Sequence, residues 1–181
     1  QTKDDYKKAM KAKSLSCSIV VYRGKSDVFE QTIASFCKAV NKAMRVNVDQ
    51  VKLILVNNDP RATEESTWAL LPKTVVHAGI LNIEIICGHG NVGYGKGHNL
   101  AIAQSTSTYH VVLNPDVVLA ENSLVEAIGY LERNRGCGLV AAKAFDGEGQ
   151  IEYLCKRYPT VLDLVLRGFA PAWLQKLFRK Q

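Results

Sequence analysis

Four short apolar runs, rich in valine and isoleucine, alternate with segments that have helical periodicity. Runs of this length are typical of strands buried on both faces, and strands that alternate with helices form mainly parallel sheets. The sequence therefore predicts an α/β domain with a mainly parallel sheet flanked by helices. The four runs cover residues 15–22, 51–56, 82–87 and 109–113.

The segments between these runs predict the helices and turns. Apolar residues over 29–44 recur at three- and four-residue spacing, which indicates one buried helical face behind a cap at Asp27. Gly95 and Gly97 place a later helix start near His98, because glycine costs ~1 kcal/mol relative to alanine inside a helix. The other expected elements are helices over 64–71, 98–104 and 121–133, a strand over 138–142, a turn over 145–149 leading into a strand over 151–155, and an amphipathic helix from Pro159.

A glycine-dense loop, GHGNVGYGKG at residues 88–97, follows the third apolar run. Glycine lets the backbone approach a ligand closely and adopt positive φ, and amides at a helix start suit a phosphate. Asp116 follows the fourth run, where a carboxylate can hold a divalent cation against that phosphate. The loop therefore predicts a nucleotide diphosphate site at the carboxyl ends of the strands, where such sheets bind ligands.

Two nucleotide-binding motifs match this loop in part. Residues 88–93 satisfy the dinucleotide pattern G-x-G-x-x-G, and Asp116 lies near the spacing of its ribose-binding acid. That motif, however, belongs to the first strand–helix turn of a domain. The P-loop pattern fits as far as Lys96, but Gly97 lacks the hydroxyl that would hold Mg²⁺. An NAD(P)-binding oxidoreductase stays open as an alternative.

Further segments extend the pattern in a fixed order along the chain. They are SIVVY at 18–22, LILVNNDP at 53–60, NVGYGKGHNLAI at 91–102, LNPDV at 113–117, GLVAAK at 138–143, DGEG at 146–149 and RYP at 157–159. Together they resemble the family 2 glycosyltransferases of the GT-A type, especially the rhamnosyltransferase-like branch of bacterial polysaccharide biosynthesis. The resemblance covers residues 15–170 and implies a GT-A, Rossmann-like fold.

The resemblance implies a nucleotide-sugar donor site with a metal. The segment LNPDV at 113–117 has the form that the D-x-D motif takes in this branch. Its Asp116 would coordinate Mg²⁺ or Mn²⁺, and Asn114 could add a weaker oxygen ligand. Asn58 is expected to contact the nucleobase, because its amide both donates and accepts. Asn57 departs from the family, which usually has aspartate there. The implied donor-binding residues are Tyr22, Asn57, Asn58, Asn91, Gly93, Gly95, Lys96, Gly97, Asn99 and Asn114.

The catalytic base is not assigned. Inverting members of the family take it from a later acidic segment, but after Gln150 the chain has only Glu152 and Asp163, neither in a matching motif. We therefore expect the donor-binding part of a transferase, without the part that holds the acceptor and the base. The expected reaction is metal-assisted, inverting transfer of a sugar, such as rhamnose from dTDP-rhamnose, to a glycan or lipid-linked acceptor. A non-catalytic nucleotide-sugar-binding module, or half of a two-chain transferase, is the alternative.

Charge and composition narrow the class of partner. The net charge of +6 over 181 residues favours an anionic partner. The basic residues are dispersed and the aromatic residues show no stacking pattern, which disfavours nucleic acid. No apolar run approaches the ~20 residues of a membrane span. Five cysteines without a C-x-x-C pair indicate reduced thiols in a cytoplasmic protein.

The expected organisation has three segments. Residues 1–14 form a charged leader or linker, residues 15–158 the nucleotide-sugar-binding domain, and residues 159–181 a basic amphipathic helical segment. The apolar stripe of the last segment, from Trp173 to Phe178, has two interpretations. It could lie on the inner face of the cell membrane as a peripheral contact, or pack against a further part of the enzyme.

Overall fold

A computed structural model describes residues 13–23, 27–46, 48–73, 75 and 82–152. The chain divides into two compact units, Gln1–Val140 and Ala141–Gln181. Residues 1–12 of the predicted leader and the whole predicted C-terminal segment at 159–181 lie outside the described residues, as does the predicted boundary between residues 158 and 159.

The first unit is built on a parallel sheet. Its strands in the described residues are β1 (Ser14–Val21), β2 (Gln50–Asn57), β3 (Asn82–Ile86) and β4 (Tyr109–Leu113). They pair in the order β3-β2-β1-β4, so the chain moves outward to β3 and then crosses to the other side of β1. Every pairing is parallel, and parallel neighbours need crossover connections, which helices supply. The predicted parallel α/β sheet is confirmed, with each strand end within one residue of its predicted place.

Helices lie on both faces of this sheet. Those bounded within the described residues are α1 (Asp27–Met44), α2 (Glu64–Trp68), α3 (Tyr94–Gln104) and α4 (Ser123–Arg133). Helices α1 and α4 pack together over one face, whereas α3 contacts β1 and β2 on the other. Helix α2 ends at Trp68, short of the predicted residue 71. In the part of the chain that the structure describes, no helix has the length and apolar character needed to cross a membrane.

Strand β1 lies between the two helical layers, and its faces differ in chemistry. Its residues with odd numbers, from Leu15 to Val21, join a large apolar cluster with α1 and α4. On the α3 side only Val20 of this strand joins an apolar cluster, a small one with β2 and α3. Ser16 and Ser18 occupy the two preceding positions on that side and are fully buried. Their hydroxyls therefore need partners within the protein.

A run of buried and partly buried hydrogen bonds supplies those partners and ties α3, β1 and β4 together. Ser16 Oγ lies 2.7 Å from Ser105 Oγ, just after α3, and 2.7 Å from His110 Nδ1 in β4. Ser18 Oγ lies 2.8 Å from His110 Nε2 and 2.8 Å from His98 Nδ1 in α3. We name this set the serine–histidine chain; in order its members are Ser105, Ser16, His110, Ser18 and His98.

The start of α3 differs from the sequence prediction. The predicted start near His98 is wrong, because the helix begins at Tyr94, directly after Gly93 at φ +84°. The Gly97 N–H donates to the Gly93 carbonyl at 3.0 Å, which continues the helix through both glycines. A Cβ on Gly97 would lie 2.9 Å from Val20 Cγ2. The close approach of helix to strand requires glycine at this position and overrides its poor helix propensity.

The predicted strand over 138–142 is also wrong. These residues are irregular and exposed, and Leu139 is 86% exposed. Within the described ranges no strand lies beside them, and β4 pairs with β1 alone. An apolar run without a neighbouring strand has no ladder to satisfy its backbone groups, so it does not become a strand.

The described part of the second unit is a short hairpin. Strands β5 (Ala144–Phe145) and β6 (Ile151–Glu152) pair antiparallel. The Asp146 N–H donates to the Gln150 carbonyl, and the Asp146 carboxylate accepts from the N–H groups of Glu148 and Gln150. The predicted turn and the start of the predicted strand after it are confirmed, and the predicted continuation over 153–155 lies outside the described residues.

Gly95 and Gly97 form a matched pair that tests the close approach of α3. Nothing lies within 4 Å of a Cβ added to Gly95, so Gly95→Ala should raise the free energy of unfolding by up to ~1 kcal/mol through helix propensity. Gly97→Ala should lower the free energy of unfolding. Overpacking against buried Val20 costs about 1–3 kcal/mol, which outweighs the gain in helix propensity. Urea unfolding of both variants checks this, and a Gly97→Ala protein as stable as Gly95→Ala would contradict the packing.

Burial of the two histidines makes stability depend on pH. Desolvation lowers the pKa of His98 and of His110 below the ordinary value of 6.5, and the neighbouring His110 lowers that of His98 further. Below that value the unfolded chain binds protons that the folded protein does not. The stability that depends on the two histidines being neutral is therefore fully present above pH 6.5, and it is lost as the pH falls towards their pKa values in the folded protein.

We expect the free energy of unfolding, from urea titrations at several pH values, to fall below about pH 6.5 by at most about 1.4 kcal/mol per pH unit for each histidine. The double variant His98→Asn/His110→Asn should be less stable at neutral pH but should show a shallower slope over the same window. An equal slope in the two proteins would assign the pH dependence to other groups.

Candidate functional site

The predicted site residues lie together at one edge of the sheet. Tyr22 directly follows β1, Asn57 ends β2, and Asn114 directly follows β4. The loop after β3 runs into the start of α3. The carboxyl ends of parallel strands share an edge, and the order of this sheet reverses between β1 and β4, which is where α/β sheets of this kind bind ligands.

Asn57 is engaged in the turn that follows β2. Its Oδ1 accepts the Asp59 N–H at 3.0 Å, and its Nδ2 donates to Thr67 Oγ1 at 3.0 Å. The Thr67 hydroxyl donates its one proton to the Thr63 carbonyl at 2.7 Å, so it can only accept from residue 57. An ionised aspartate has no proton to donate there. The partner in α2 therefore accounts for asparagine where the family usually has aspartate.

Asn58 holds the glycine loop and is only 2% exposed. Its Nδ2 donates to the Gly93 carbonyl at 3.1 Å, and its Oδ1 lies 2.9 Å from His89 Nε2. Because the amide oxygen can only accept, neutral His89 carries its proton on Nε2. His89 Nδ1 is then a buried acceptor that has no partner among the described residues. Asn58 positions the loop, and its contact with a nucleobase stays a prediction.

Left-handed glycines and one asparagine shape the loop between β3 and α3. Gly88, Gly90 and Gly93 have φ values of +80°, +71° and +84°, which side chains of L-residues rarely allow. Asn91 Oδ1 accepts the Gly93 N–H at 3.0 Å and so fixes the residue that opens the helix. The loop thereby directs the first turn of α3 to the carboxyl edge of the sheet.

The first turn of α3 combines free backbone donors with positive charge. The helix has no side-chain cap and no acidic residue in its first turn. Gly95 and Lys96 are exposed there, Gly97 is buried against the sheet, and Asn99 is exposed one turn further on. A helix N-terminus carries roughly half a positive charge. Together with Lys96, this end of α3 is suited to bind an anion such as a phosphate.

Tyr94 connects the start of α3 to the end of β4. Its hydroxyl donates to Asn114 Oδ1, two residues before Asp116. Burial raises the pKa of Tyr94, and the negative charge of Asp116 raises it further, so the hydroxyl remains a donor at neutral pH. The sequence prediction did not include Tyr94 among the site residues. The available signal was its aromatic ring in the NVGYGKG segment, at the first position of the helix.

Asp116 and Asn114 are the groups at this edge that suit a divalent cation. Both side chains are exposed. Within the described ranges, no group of three or more histidine, cysteine, aspartate and glutamate side chains could hold a metal ion. Mg²⁺ and Mn²⁺ favour oxygen ligands, and Mg²⁺ characteristically takes one or two carboxylates and completes its shell with water and phosphate. One carboxylate beside an amide oxygen therefore fits a cation that is shared with an anionic ligand.

Tyr22 and Arg23 form the edge beyond β1. Tyr22 is 45% exposed, and the Arg23 guanidinium lies 4.9 Å from the centre of its ring. Arg23 has φ +59°, a left-handed conformation that is uncommon for a residue other than glycine. The edge therefore carries a flat ring and a cation in addition to the acidic group after β4.

Neither carboxylate considered for the catalytic base has a described place in the first unit. Glu152 lies in β6 of the second unit, and Asp163 lies outside the described residues. The base is therefore not assigned.

The fold is similar to that of a crystal structure of S. aureus TarS, residues 1–349, with a TM-score of 0.51 and 14% sequence identity. The match covers 74% of this chain and 40% of that chain, so this chain spans less than half of the length of that structure. A likeness at this identity concerns the fold alone, which is GT-A-like as predicted. A comparison with curated protein sequences gives no match.

A sequence model of one family covers nearly the whole chain. The model described as glycosyl transferase family 2 matches residues 16–179, which include every predicted site residue. The family-level resemblance is thereby confirmed, while the rhamnosyltransferase-like branch stays a prediction. The chain belongs to glycosyl transferase family 2.

Proposed function

We propose that this chain binds a nucleotide-sugar donor and forms the donor-binding part of an enzyme that transfers the sugar. One observation carries the proposal: the uncapped start of α3 and Asp116 lie at the same edge and are joined through the hydrogen bond from Tyr94 to Asn114. A positive helix end beside an exposed carboxylate suits a diphosphate with a bound cation. Membership of the family supports sugar transfer as the reaction.

The start of α3 is assigned to the diphosphate. Its first backbone N–H groups have no cap, and Lys96 adds a full positive charge in the same turn. Gly95 leaves the backbone open to a ligand, since a Cβ there would meet nothing within 4 Å. Gly93 and Asn91 hold the loop in place, and Asn99 is assigned to the nucleotide one turn further along.

Asp116 and Asn114 are assigned to Mg²⁺ or Mn²⁺, with phosphate oxygens as the other ligands. When bound, the cation neutralises charge that develops on the departing nucleoside diphosphate. Of these two protein ligands, Asp116 supplies the negative charge and Asn114 is neutral. Tyr94 orients Asn114 by donating to its side-chain oxygen, whose second lone pair remains for a cation.

The nucleoside is assigned to the neighbouring strand ends. The exposed ring of Tyr22 offers a flat apolar surface to a base, and Arg23 limits access to one of its faces. Asn57 and Asn58 hold the backbone of this region in place, because their side chains form hydrogen bonds with Thr67, His89 and the glycine loop. Gly97 lets α3 approach the strands closely enough for these contacts.

The proposed step forms a bond between an acceptor oxygen and the anomeric carbon of the sugar, with inversion. The bond from that carbon to the diphosphate oxygen breaks, and its electron pair leaves with the nucleoside diphosphate. The proton of the acceptor hydroxyl passes to a base, which is not assigned to a residue of this chain. A nucleotide-sugar-binding module without catalysis, or half of a two-chain transferase, would share the donor site and lack this step.

The donor sugar, acceptor and location are proposed from the family resemblance. We infer dTDP-rhamnose as the donor and a glycan or lipid-linked glycan as the acceptor. A cytoplasmic protein with a peripheral contact at the inner face of the membrane would suit a lipid-linked acceptor. A dinucleotide is less well supported, because the glycine loop follows β3 and not the first strand.

Asp116→Asn should remove the metal dependence of nucleoside diphosphate binding. Calorimetric titration of dTDP, UDP and GDP with Mn²⁺ should identify one preferred ligand of the wild-type protein. The variant should bind it at least about tenfold more weakly, the lower end of the loss seen when even a supporting residue of a metal site is changed. In EDTA the variant should bind no more weakly than the wild-type protein, because the lost charge then has no cation to hold and no longer repels the diphosphate.

Glu121→Gln is the matched control, since it neutralises an exposed carboxylate in the same connection after β4. It should leave the manganese-dependent affinity unchanged. Equal effects of the two variants, or NAD⁺ binding that does not need a metal, would contradict the proposed donor site.

A further inference from the structure

The serine–histidine chain ends at a single free nitrogen. His98 Nε2 is buried and has no partner among the described residues, and the residue His98 as a whole is 3% exposed. The bond from Ser18 Oγ to Nδ1 is therefore the one hydrogen bond that the structure gives to this side chain. A buried imidazole with one hydrogen bond depends on that bond for its orientation.

The chain is consistent in either of two directions of donation. If Ser18 donates to His98 Nδ1, then His110 donates from Nε2 and accepts from Ser16. If His98 donates from Nδ1, all these roles reverse, and the Ser16 and Ser18 hydroxyls each still donate once and accept once within the chain. Both directions keep every bond between the members and leave only His98 Nε2 without a partner. The link from His98 to β1 and β4 is thus maintained in both directions.

The ring of His98 lies against Tyr94 of the site. The two residues are one turn apart on α3, and their rings meet edge to face with centroids 4.4 Å apart. Tyr94 is 49% exposed, so burial alone does not fix its ring. Its position depends on His98 at one end and on the hydroxyl bond to Asn114 at the other.

We propose that Ser18 and His98 are positioning residues of the donor site. The Ser18 hydroxyl holds the His98 ring, His98 holds the Tyr94 ring, and Tyr94 orients Asn114 beside Asp116. His110 anchors the same chain in β4, the strand that leads into Asn114. The effect on ligand binding rests on the proposed function, whereas the effect on Tyr94 does not.

Ser18→Ala and Ser16→Ala are a matched pair for this inference. Both remove a fully buried hydroxyl from the same face of β1, but only Ser18→Ala removes the hydrogen bond of His98. In protein with ¹³C-labelled tyrosine, with Tyr94 assigned through Tyr94→Phe, the Tyr94 ring signals should shift in Ser18→Ala and stay near their wild-type positions in Ser16→Ala. No ligand is needed for this measurement.

Ligand binding gives the second readout. Manganese-dependent affinity for the nucleoside diphosphate preferred by the wild-type protein should fall about 3- to 30-fold in Ser18→Ala, the range expected for coupling through a packed network. It should change less than about twofold in Ser16→Ala. His98→Phe keeps an aromatic ring without nitrogens and should reproduce the Ser18→Ala result, which covers the case in which Ser18→Ala does not fold.

The outcomes separate this inference from the proposed function. Tyr94 signals that move in Ser18→Ala and His98→Phe but not in Ser16→Ala support the positioning role, even if the wild-type protein binds no nucleoside diphosphate. In that case the proposed function fails by itself. The positioning role is overturned if the wild-type protein binds its ligand and all three variants keep the wild-type Tyr94 signals and the wild-type affinity. That result leaves the proposed function in place.

Discussion

The close approach of α3 to β1 is the contact on which the candidate site depends. Gly97 faces Val20 with no room for a Cβ, and the next residue, His98, reaches Ser18 at hydrogen-bond distance. A larger residue at 97 would separate the helix from the strand and weaken that bond. The same displacement would move Tyr94 and the uncapped first turn. Packing in the sheet and the geometry of the site are therefore set by one contact.

The two faces of β1 are stabilised by different interactions, and the difference suits their roles. Apolar contacts with α1 are numerous and tolerate small shifts, because dispersion and burial depend weakly on direction. The α3 side has only a small apolar cluster, and hydrogen bonds among buried serines and histidines complete the contact. Such bonds are satisfied in one relative placement and are costly to leave unmade. The polar side therefore fixes the register of α3, which the site requires.

The sequence predicted the four strands of the parallel sheet and the edge at which the proposed site residues meet, because both follow from local pattern. Short valine-rich runs indicate buried strands, and the carboxyl ends of parallel strands necessarily meet at one edge. The inclusion of Gly97 in α3 was not predictable in this way, since the glycine is required by its contact with the distant residue Val20. The partners of Asn57 and Asn58 likewise depend on how α2 and the glycine loop pack. Polar residues could be located from the sequence, but their hydrogen bonds could not.

The chemistry of the proposed metal site implies that cation and nucleotide bind together. Asp116 is the carboxylate that follows β4, and Asn114 adds only a neutral oxygen, part of whose capacity Tyr94 already uses. A cation held by so few protein ligands must complete its shell with phosphate oxygens and water. Whatever factor the cation adds to diphosphate affinity, the diphosphate adds to cation affinity, because linkage is reciprocal. Residues that orient Asn114 then act on both affinities at once, which makes the packing beneath Tyr94 part of the proposed binding equilibrium.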